Sequence, residues 1–249
     1  MDSLEISKLD IVRFIKNAFP NAFDEITVLA KENSFEIIGV DKSSTIACDL
    51  TLDMDAFSDY NISTKYTIPI ISEKLRQYLG LSLSTYISDP EGVKTAMVFS
   101  SKAIDLTICD EKKYIIRRQL RLVPTGMIAL PLLPDFSNVP SCDISIDPKR
   151  LGFVFASSKD IESLDVFING NGITFESAEY NNPGTMNIGG SSKGSAKSAL
   201  LNASLGVVSS VCELACVTGL KIYVINKGQI KFSYKIEGGI LNYFVTPLV

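Results

Sequence analysis

Three short stretches of this sequence hold residue types that catalyse reactions or ligate ions in other settings. Asp53 and Asp55 stand two apart, a carboxylate pair of the sort that does acid–base work, but nothing around them supplies the environment for it. The segment GGSSKGSAKS (189–198) has the glycine, lysine and serine content of a phosphate-binding loop. That chemistry needs a lysine directly after the last glycine, and here Gly194 is followed by Ser195 and Ala196. No clear apolar strand precedes it, so it reads as a loop. Cys212 and Cys216 lie four apart on a candidate helix. With no third ligand nearby they read as buried packing.

A fourth group is electrostatic rather than reactive. Lys8, Arg13 and Lys16 fall on one helical segment, Lys74 and Arg76 on a second, and Lys149, Arg150 and Lys159 on a third. Cations on such a face can hold phosphate, an interaction blind to base sequence. A solvated helix face accounts for any one of them alone. The chain as a whole has a net charge of −4 and a pI near 5.0. A protein that grips nucleic acid over its whole surface is usually basic, so an acidic one must gather its cations on one face. A fourth helical segment departs from the pattern: it has no Lys or Arg between Leu200 and Thr218 and carries Glu213, with Lys193 and Lys197 lying before it.

Absences narrow the function further. The sequence has no histidine, which removes the commonest general base and the commonest metal ligand. A Ser-His-Asp or Cys-His site cannot form in this chain alone. No metal or cofactor is expected. The five cysteines form no CxxC pair and suit a reduced, intracellular setting. The start MDSLEISK predicts no secretory leader, and no apolar run approaches the ~18 residues of a membrane span. The Asn61-Ile62-Ser63 and Asn202-Ala203-Ser204 triplets therefore carry no glycosylation reading. With 249 residues, 46% of them hydrophobic, the chain can build one large domain or two ordinary ones.

The elements that must position these residues repeat. Residues 24–41 (DEITVLAKENSFEIIGVD) align without a gap on 162–179 (ESLDVFINGNGITFESAE), an offset of 138. Ile26 matches Leu164, Val28 matches Val166, Phe35 matches Ile173 and Ile37 matches Phe175. Each window predicts two alternating strands around a tight turn, at Glu32-Asn33-Ser34 and Gly170-Asn171-Gly172. An amphipathic helix precedes each, over 7–19 and 147–160, the second with Asp147 as N-cap and Pro148 in its first turn. Alternating stretches DSLEIS and CDISI precede those helices. Second helical segments follow over 69–80 and 201–215, then further strands (LSTYIS, TAMVFSS, AIDLTIC and YIIRRQLRLV; LKIYVIN, QIKFSYKI and LNYFVTP). The reading is α+β: two similar domains, 1–122 and 141–249, each a pair of helices with a mostly antiparallel sheet. Between them, 123–140 is apolar yet holds Pro124, Pro131 and Pro134, so it is neither helix nor central strand and reads as a connector.

Four places now carry a family resemblance. They are IIGVDKSSTIACDLTLDMDAFSDY (37–60), through Asp41, Ser43, Leu50, Leu52, Phe57 and Tyr60; the helix–strand unit over 147–179; the ending YKIEGGILNYFVTPLV; and the apolar connector. In their order and spacing the chain resembles the sliding clamps of the proliferating cell nuclear antigen (PCNA) family, archaeal or eukaryotic in type. The resemblance implies a ring of two-domain subunits, homotrimer or heterotrimer, with helices inside and sheets outside. It implies a DNA replication and repair function without covalent chemistry: duplex DNA passes through the hole, while DNA polymerase, flap endonuclease, DNA ligase and a clamp loader are the partners. The location implied is the cytoplasm (nucleoid) if archaeal and the nucleus if eukaryotic.

Residue by residue, the resemblance places the cations named above against DNA. It assigns a partner-peptide pocket to Val40, Ala47, Met127, Ile128, Leu130, Phe244, Thr246 and Pro247, with Thr246 standing where the family usually has alanine. It assigns the subunit interface to edge strands at 113–123 and 182–190, represented by Tyr114, Ile116 and Arg118 and by Thr185, Asn187 and Ile188. Two readings compete: a checkpoint-type clamp subunit of a heterotrimeric ring in DNA damage signalling, and a carboxylate-dependent enzyme on a duplicated scaffold.

Overall fold

A computed structural model describes residues 1–83, 92–109, 115–123, 142–177, 184–224 and 228–248. It divides into two compact units. Unit 1 comprises Met1–Lys42, the described part of Asp49–Pro131, and Glu237–Ile240; unit 2 comprises Ser43–Cys48, the described part of Leu132–Ile236, and Leu241–Val249.

In unit 1 the chain runs β1 (Ser3–Ile6), α1 (Leu9–Ala18), β2 (Glu25–Ala30), β3 (Ser34–Val40), β4 (Ile46–Asp53), a short 3₁₀ turn Met54–Ala56, β5 (Asp59–Asn61), β6 (Tyr66–Ile71), α2 (Ser72–Ser82), β7 (Lys94–Phe99), β8 (Ala103–Cys109) and β9 (Ile115–Arg121). One antiparallel sheet has the order β5-β1-β7-β8-β9, and a second strand run has the order β4-β3-β2-β6. Helix α1 forms because Ile11, Val12, Phe14, Ile15 and Ala18 recur at helical spacing and all are buried. It packs against α2, which buries Leu75 and Leu79. Leu4, Ile6, Phe35, Leu50, Leu52, Ile104 and Leu106 complete the core.

Unit 2 repeats the scheme with β10 (Cys142–Ile146), α3 (Pro148–Ser157), β11 (Ser163–Asn169), β12 (Gly172–Ser177), β13 (Thr185–Gly189), β14 (Ser192–Lys193), β15 (Ala196–Leu201), α4 (Asn202–Ser209), β16 (Val217–Val224), β17 (Ile230–Ile236) and β18 (Gly239–Val245). Its sheet orders are β13-β12-β11-β15 and β14-β10-β16-β17-β18. Asp147 caps α3 by accepting from the Lys149 backbone N–H at 3.0 Å, and Pro148 fills the first turn, where its missing N–H costs nothing.

The repeat holds down to register. Val28 faces Ile37 and Ala30 faces Phe35 in unit 1; Val166 faces Phe175 and Ile168 faces Ile173 in unit 2. The entry to the second helix repeats as well: the Ser72 N–H donates to Asp24 O at 2.8 Å, and the Asn202 N–H donates to Glu162 O at 2.9 Å. Asn202 adds a buried clasp. Its amide donates to Ser158 O at 2.5 Å while the Ser158 hydroxyl donates to Asn202 Oδ1 at 3.0 Å, tying the end of α3 to the start of α4. A glycan could not be attached there.

Helix boundaries differ from the sequence reading at three places. The run 69–71 belongs to β6, with Pro69 opposite Thr27 on an outer strand that tolerates its missing donor, so α2 starts at Ser72. Helix α4 ends at Ser209, after which Cys212 N–H to Ser209 O and Leu214 N–H to Val211 O close successive tight turns. The segment 189–198 holds strand pairing rather than a plain loop: Lys193 and Ser192 face Asp143 and Ile144 of β10. The strand predicted at LSTYIS lies almost wholly outside the described residues, its first residue Leu83 closing α2. Among the described residues, no helix is long and apolar enough to cross a membrane.

Two glycines are fixed by close approach. A Cβ on Gly206 of α4 would lie 2.9 Å from the Phe155 ring of α3, so the two helices meet at a glycine. Gly238 has φ +73°, and a Cβ there would come within 2.9 Å of Ala56.

Candidate nucleic-acid interface

In unit 1 the cations divide into paired and unpaired. Lys8 Nζ lies 2.6 Å from Glu237 Oε1, and Arg13 reaches Asp10 one turn back at 3.1 Å. Both pairs are exposed, so each is worth little to stability. Both also lower the local positive charge. Among the described residues, Lys16, Lys74 and Arg76 have no acidic partner within ion-pair distance. Lys16 of α1 and Arg76 of α2 converge on one open groove of about 310 Å³ shared with Asn21, Glu73, Gln77 and Gly80. The Arg76 guanidinium donates to Asn21 Oδ1. Gly80 leaves room for the Lys16 ammonium, which would sit 3.7 Å from a Cβ at that position. Lys74 is exposed beside them.

In unit 2, Lys149 and Arg150 are exposed at the start of α3, and Lys159 is exposed just past its end. Lys149 and Arg150 rim a groove of about 530 Å³ whose floor is Phe153 and Val154 of α3 with Met186 and Ile188 of β13. Phe153 is 71% exposed. The sequence reading passed over it. Its signal was present, since one buried stripe needs Leu151 and Val154 and leaves Phe153 off the stripe.

The described residues expected at a subunit interface lie on the end strands of two sheets. β9 ends the five-stranded sheet and β13 ends the four-stranded one, and both are mostly exposed. Ile116 and Arg118 lie on β9; Thr185, Asn187 and Ile188 lie on β13, where Asn187 Oδ1 accepts from the Thr174 hydroxyl at 2.6 Å. Tyr114 lies outside the described residues, as do the connector residues Met127, Ile128 and Leu130.

The other residues expected in a partner-peptide pocket are placed as follows, each within its own unit. Val40 is half-buried at the end of β3 in unit 1. Within unit 2, Ala47 is buried, and Phe244 is 6% exposed with the Lys231 ammonium 5.5 Å above its ring. Thr246 is exposed, its N–H donating to Thr45 O at 2.9 Å. Pro247 is half-buried beside Gly228.

Phe57 and Tyr60 have structural work in unit 1. The Phe57 ring meets Phe35 edge-on at 5.8 Å and Tyr60 at 5.1 Å. The Tyr60 hydroxyl lies 2.5 Å from Lys31 O and 2.7 Å from Ser34 O, sharing its proton between the carbonyls of the β2–β3 turn. Burial pushes its pKa up to about 12.

Among the described residues, the candidate reactive side chains lie apart from one another. Asp53 and Asp55 are exposed beside the 3₁₀ turn. Cys212 is buried against the Tyr234 hydroxyl at 3.2 Å, and burial pushes its thiol up to about 11, away from the nucleophilic thiolate. Among the described residues no three Cys, Asp or Glu side chains come together as a metal site.

The two units are duplicated helix-pair-and-sheet modules with exposed outer strands and cationic helix faces. Comparison with solved structures agrees. The chain is similar to a chain in the crystal structure of a PCNA2–PCNA3 complex from Sulfolobus tokodaii, with a TM-score of 0.83 over 98% of each chain at 14% sequence identity. The fold is therefore that of PCNA-type clamps. No family model matches the sequence, and no curated protein matches it.

Proposed function

We propose that this chain is a subunit of a ring-shaped DNA sliding clamp, a processivity factor that encircles duplex DNA and tethers replication and repair enzymes. The observation that carries the reading is the gathering of unpaired cations on the helices of an acidic chain: Lys16 and Arg76 meet in one groove, with Lys74 beside them. In the second unit, Lys149, Arg150 and Lys159 are exposed on and just beyond α3. Such contacts hold phosphate without reading bases, which is what sliding requires. The similar solved chain comes from a complex of two clamp subunits, and β9 and β13 are the edges through which this chain would join its neighbours.

In this reading 1–122 and 141–249 are the two clamp domains and 123–140 connects them. Val40, Ala47, Met127, Ile128, Leu130, Phe244, Thr246 and Pro247 form the docking pocket for peptides of DNA polymerase, flap endonuclease, DNA ligase and the clamp loader. The chain does no covalent chemistry and works where the cell keeps its DNA. The test is the pair Lys16→Glu with Arg76→Glu. Both residues are surface cations, so the fold should survive. Clamp-dependent primer extension at low salt should lose processivity, and the log–log salt slope of DNA binding should shrink by roughly 0.9 per lost phosphate contact. Unchanged extension and slope would remove these helices from the DNA.

A further inference from the structure

We propose that Asn169 is a self-modifying residue, one that the fold selects for conversion to isoaspartate, and that the change frees the Ser192–Lys193 segment from the turn between β11 and β12. In an Asn-Gly pair the side-chain amide is open to attack by the next backbone nitrogen, because glycine has no Cβ to hinder the approach. The pair occurs twice in the sequence, at 169–170 and 171–172, both where β11 turns into β12. Asn169, Gly170 and Asn171 are all exposed.

The structure separates the two pairs. Gly170 stands in the open: a Cβ there would meet nothing within 4 Å, and its φ is outside the left-handed range. Among the described residues its N–H has no acceptor. Neither space nor backbone conformation asks for glycine at this position, and the repeated turn of unit 1 has Glu32 there. Gly172 is the reverse case. It is buried, lies opposite Asn169 of β11 on one side and Gly189 of β13 on the other, and a Cβ there would strike Ile188 O. Its nitrogen cannot swing toward the Asn171 side chain without disturbing that sheet.

The Asn169 carboxamide is already folded back over the chain. Its Oδ1 accepts from the Asn171 N–H at 2.9 Å, closing a turn that encloses the Gly170 nitrogen. When that nitrogen attacks Cγ, Oδ1 is the oxygen that takes up negative charge, and the Asn171 N–H is the donor aimed at it. The new N–Cγ bond closes a succinimide. The Cγ–Nδ2 bond breaks, and the side-chain nitrogen leaves as ammonia with the proton lost from the backbone amide. Water then opens the ring. Addition at Cγ gives aspartate; addition at the Asn169 carbonyl carbon gives isoaspartate, whose main chain runs through Cβ and Cγ. The sum is asparagine and water to acid and ammonia, with nothing oxidised or reduced.

The turn anchors the segment beyond β13. The Ser192 hydroxyl donates to Asn169 O at 2.5 Å, and the Gly190 N–H donates to Asn171 O at 3.3 Å. In isoaspartate the Asn169 carbonyl becomes a carboxylate hanging off the main chain, and the backbone gains a carbon. The Ser192 bond then loses its place in the turn.

The test ages the purified full chain in mildly alkaline buffer and follows it by peptide mapping. Isoaspartate is detected with a protein isoaspartate O-methyltransferase and labelled S-adenosylmethionine, and a parallel sample is held unfolded in urea. In the folded chain the product should fall on Asn169 ahead of Asn171 by roughly tenfold or more, while the unfolded pairs should react alike. Gly170→Ala, which the open space accommodates, should slow the change at Asn169 by roughly tenfold. Asn171→Ser keeps the backbone donor and should leave the rate at Asn169 as it is. Trypsin should cut after exposed Lys193 faster in aged than in fresh wild type, and no faster in aged Gly170→Ala. Absence of isoaspartate at 169, equal or faster change at Asn171 in the folded chain, or an undiminished rate in Gly170→Ala would overturn the inference. So would isoaspartate at 169 with Lys193 cut no faster.

Discussion

Gly206→Ala should change the sign of its effect with the residue at position 155. Gly206 is in the body of α4, where alanine is intrinsically preferred over glycine by roughly 0.8–1.0 kcal/mol. Against that stands the Phe155 ring, two of whose carbons would lie 2.9 Å from the new methyl. Comfortable carbon–carbon contact is roughly 3.5–4.0 Å, so the ring or the helix must move by more than half an ångström. Overpacking of this kind costs roughly 1–3 kcal/mol. The clash should win, leaving the single variant less stable by up to about 2 kcal/mol. In a Phe155→Ala background the clash is gone and Gly206→Ala should stabilise by roughly 0.5–1 kcal/mol. Urea denaturation of the four proteins closes the cycle and should give a coupling of roughly 1–3 kcal/mol. An equal effect of Gly206→Ala in both backgrounds would refute the close approach of α3 and α4, and with it the placement of the α3 cations.

Three further outcomes follow from the same geometry. Of the five cysteines, Cys109 alone is not fully buried, so a thiol reagent near pH 8 should label it first, with the other four reacting only on denaturation; early labelling of Cys212 would contradict its burial. Tyr60 binds its proton more tightly folded than unfolded. Its share of stability should be complete below pH ~10 and drain away toward pH ~12, and Tyr60→Phe should flatten that part of the pH–stability curve. Asn202→Ala should cost about 1–3 kcal/mol, since it strips buried partners from Ser158; a loss under half a kcal/mol would show the clasp to be idle.

The duplicated units were legible because their signals are local. Period-two alternation around two tight turns gave the paired strands, and the 138-residue offset carried through to Val28–Ile37 and Val166–Phe175. Helix limits were harder to read. Ile70 and Ile71 are as apolar as a helix face demands yet extend β6, and Val211 and Cys212 keep helical spacing while lying in tight turns after α4. The candidate site was legible by residue type and not by partner. Nothing near Lys8 in sequence announces Glu237, and nothing near Lys16 announces Arg76, because both encounters depend on the fold. The α3–β13 groove needed Phe153 and Met186, more than thirty residues apart, to meet, so Phe153 passed as one more apolar residue on a helix.

Topological linkage to DNA tests the central claim most directly. On the proposed function, the chain, with any clamp-type chains that assemble with it, would be loaded onto a nicked circular plasmid by a clamp loader and washed in high salt. Salt removes contacts to phosphate but cannot open a closed ring. The account predicts retention on the circle and release once the plasmid is cut at a single site. Release from the circle in salt, or equal retention on circular and linear DNA, would contradict it.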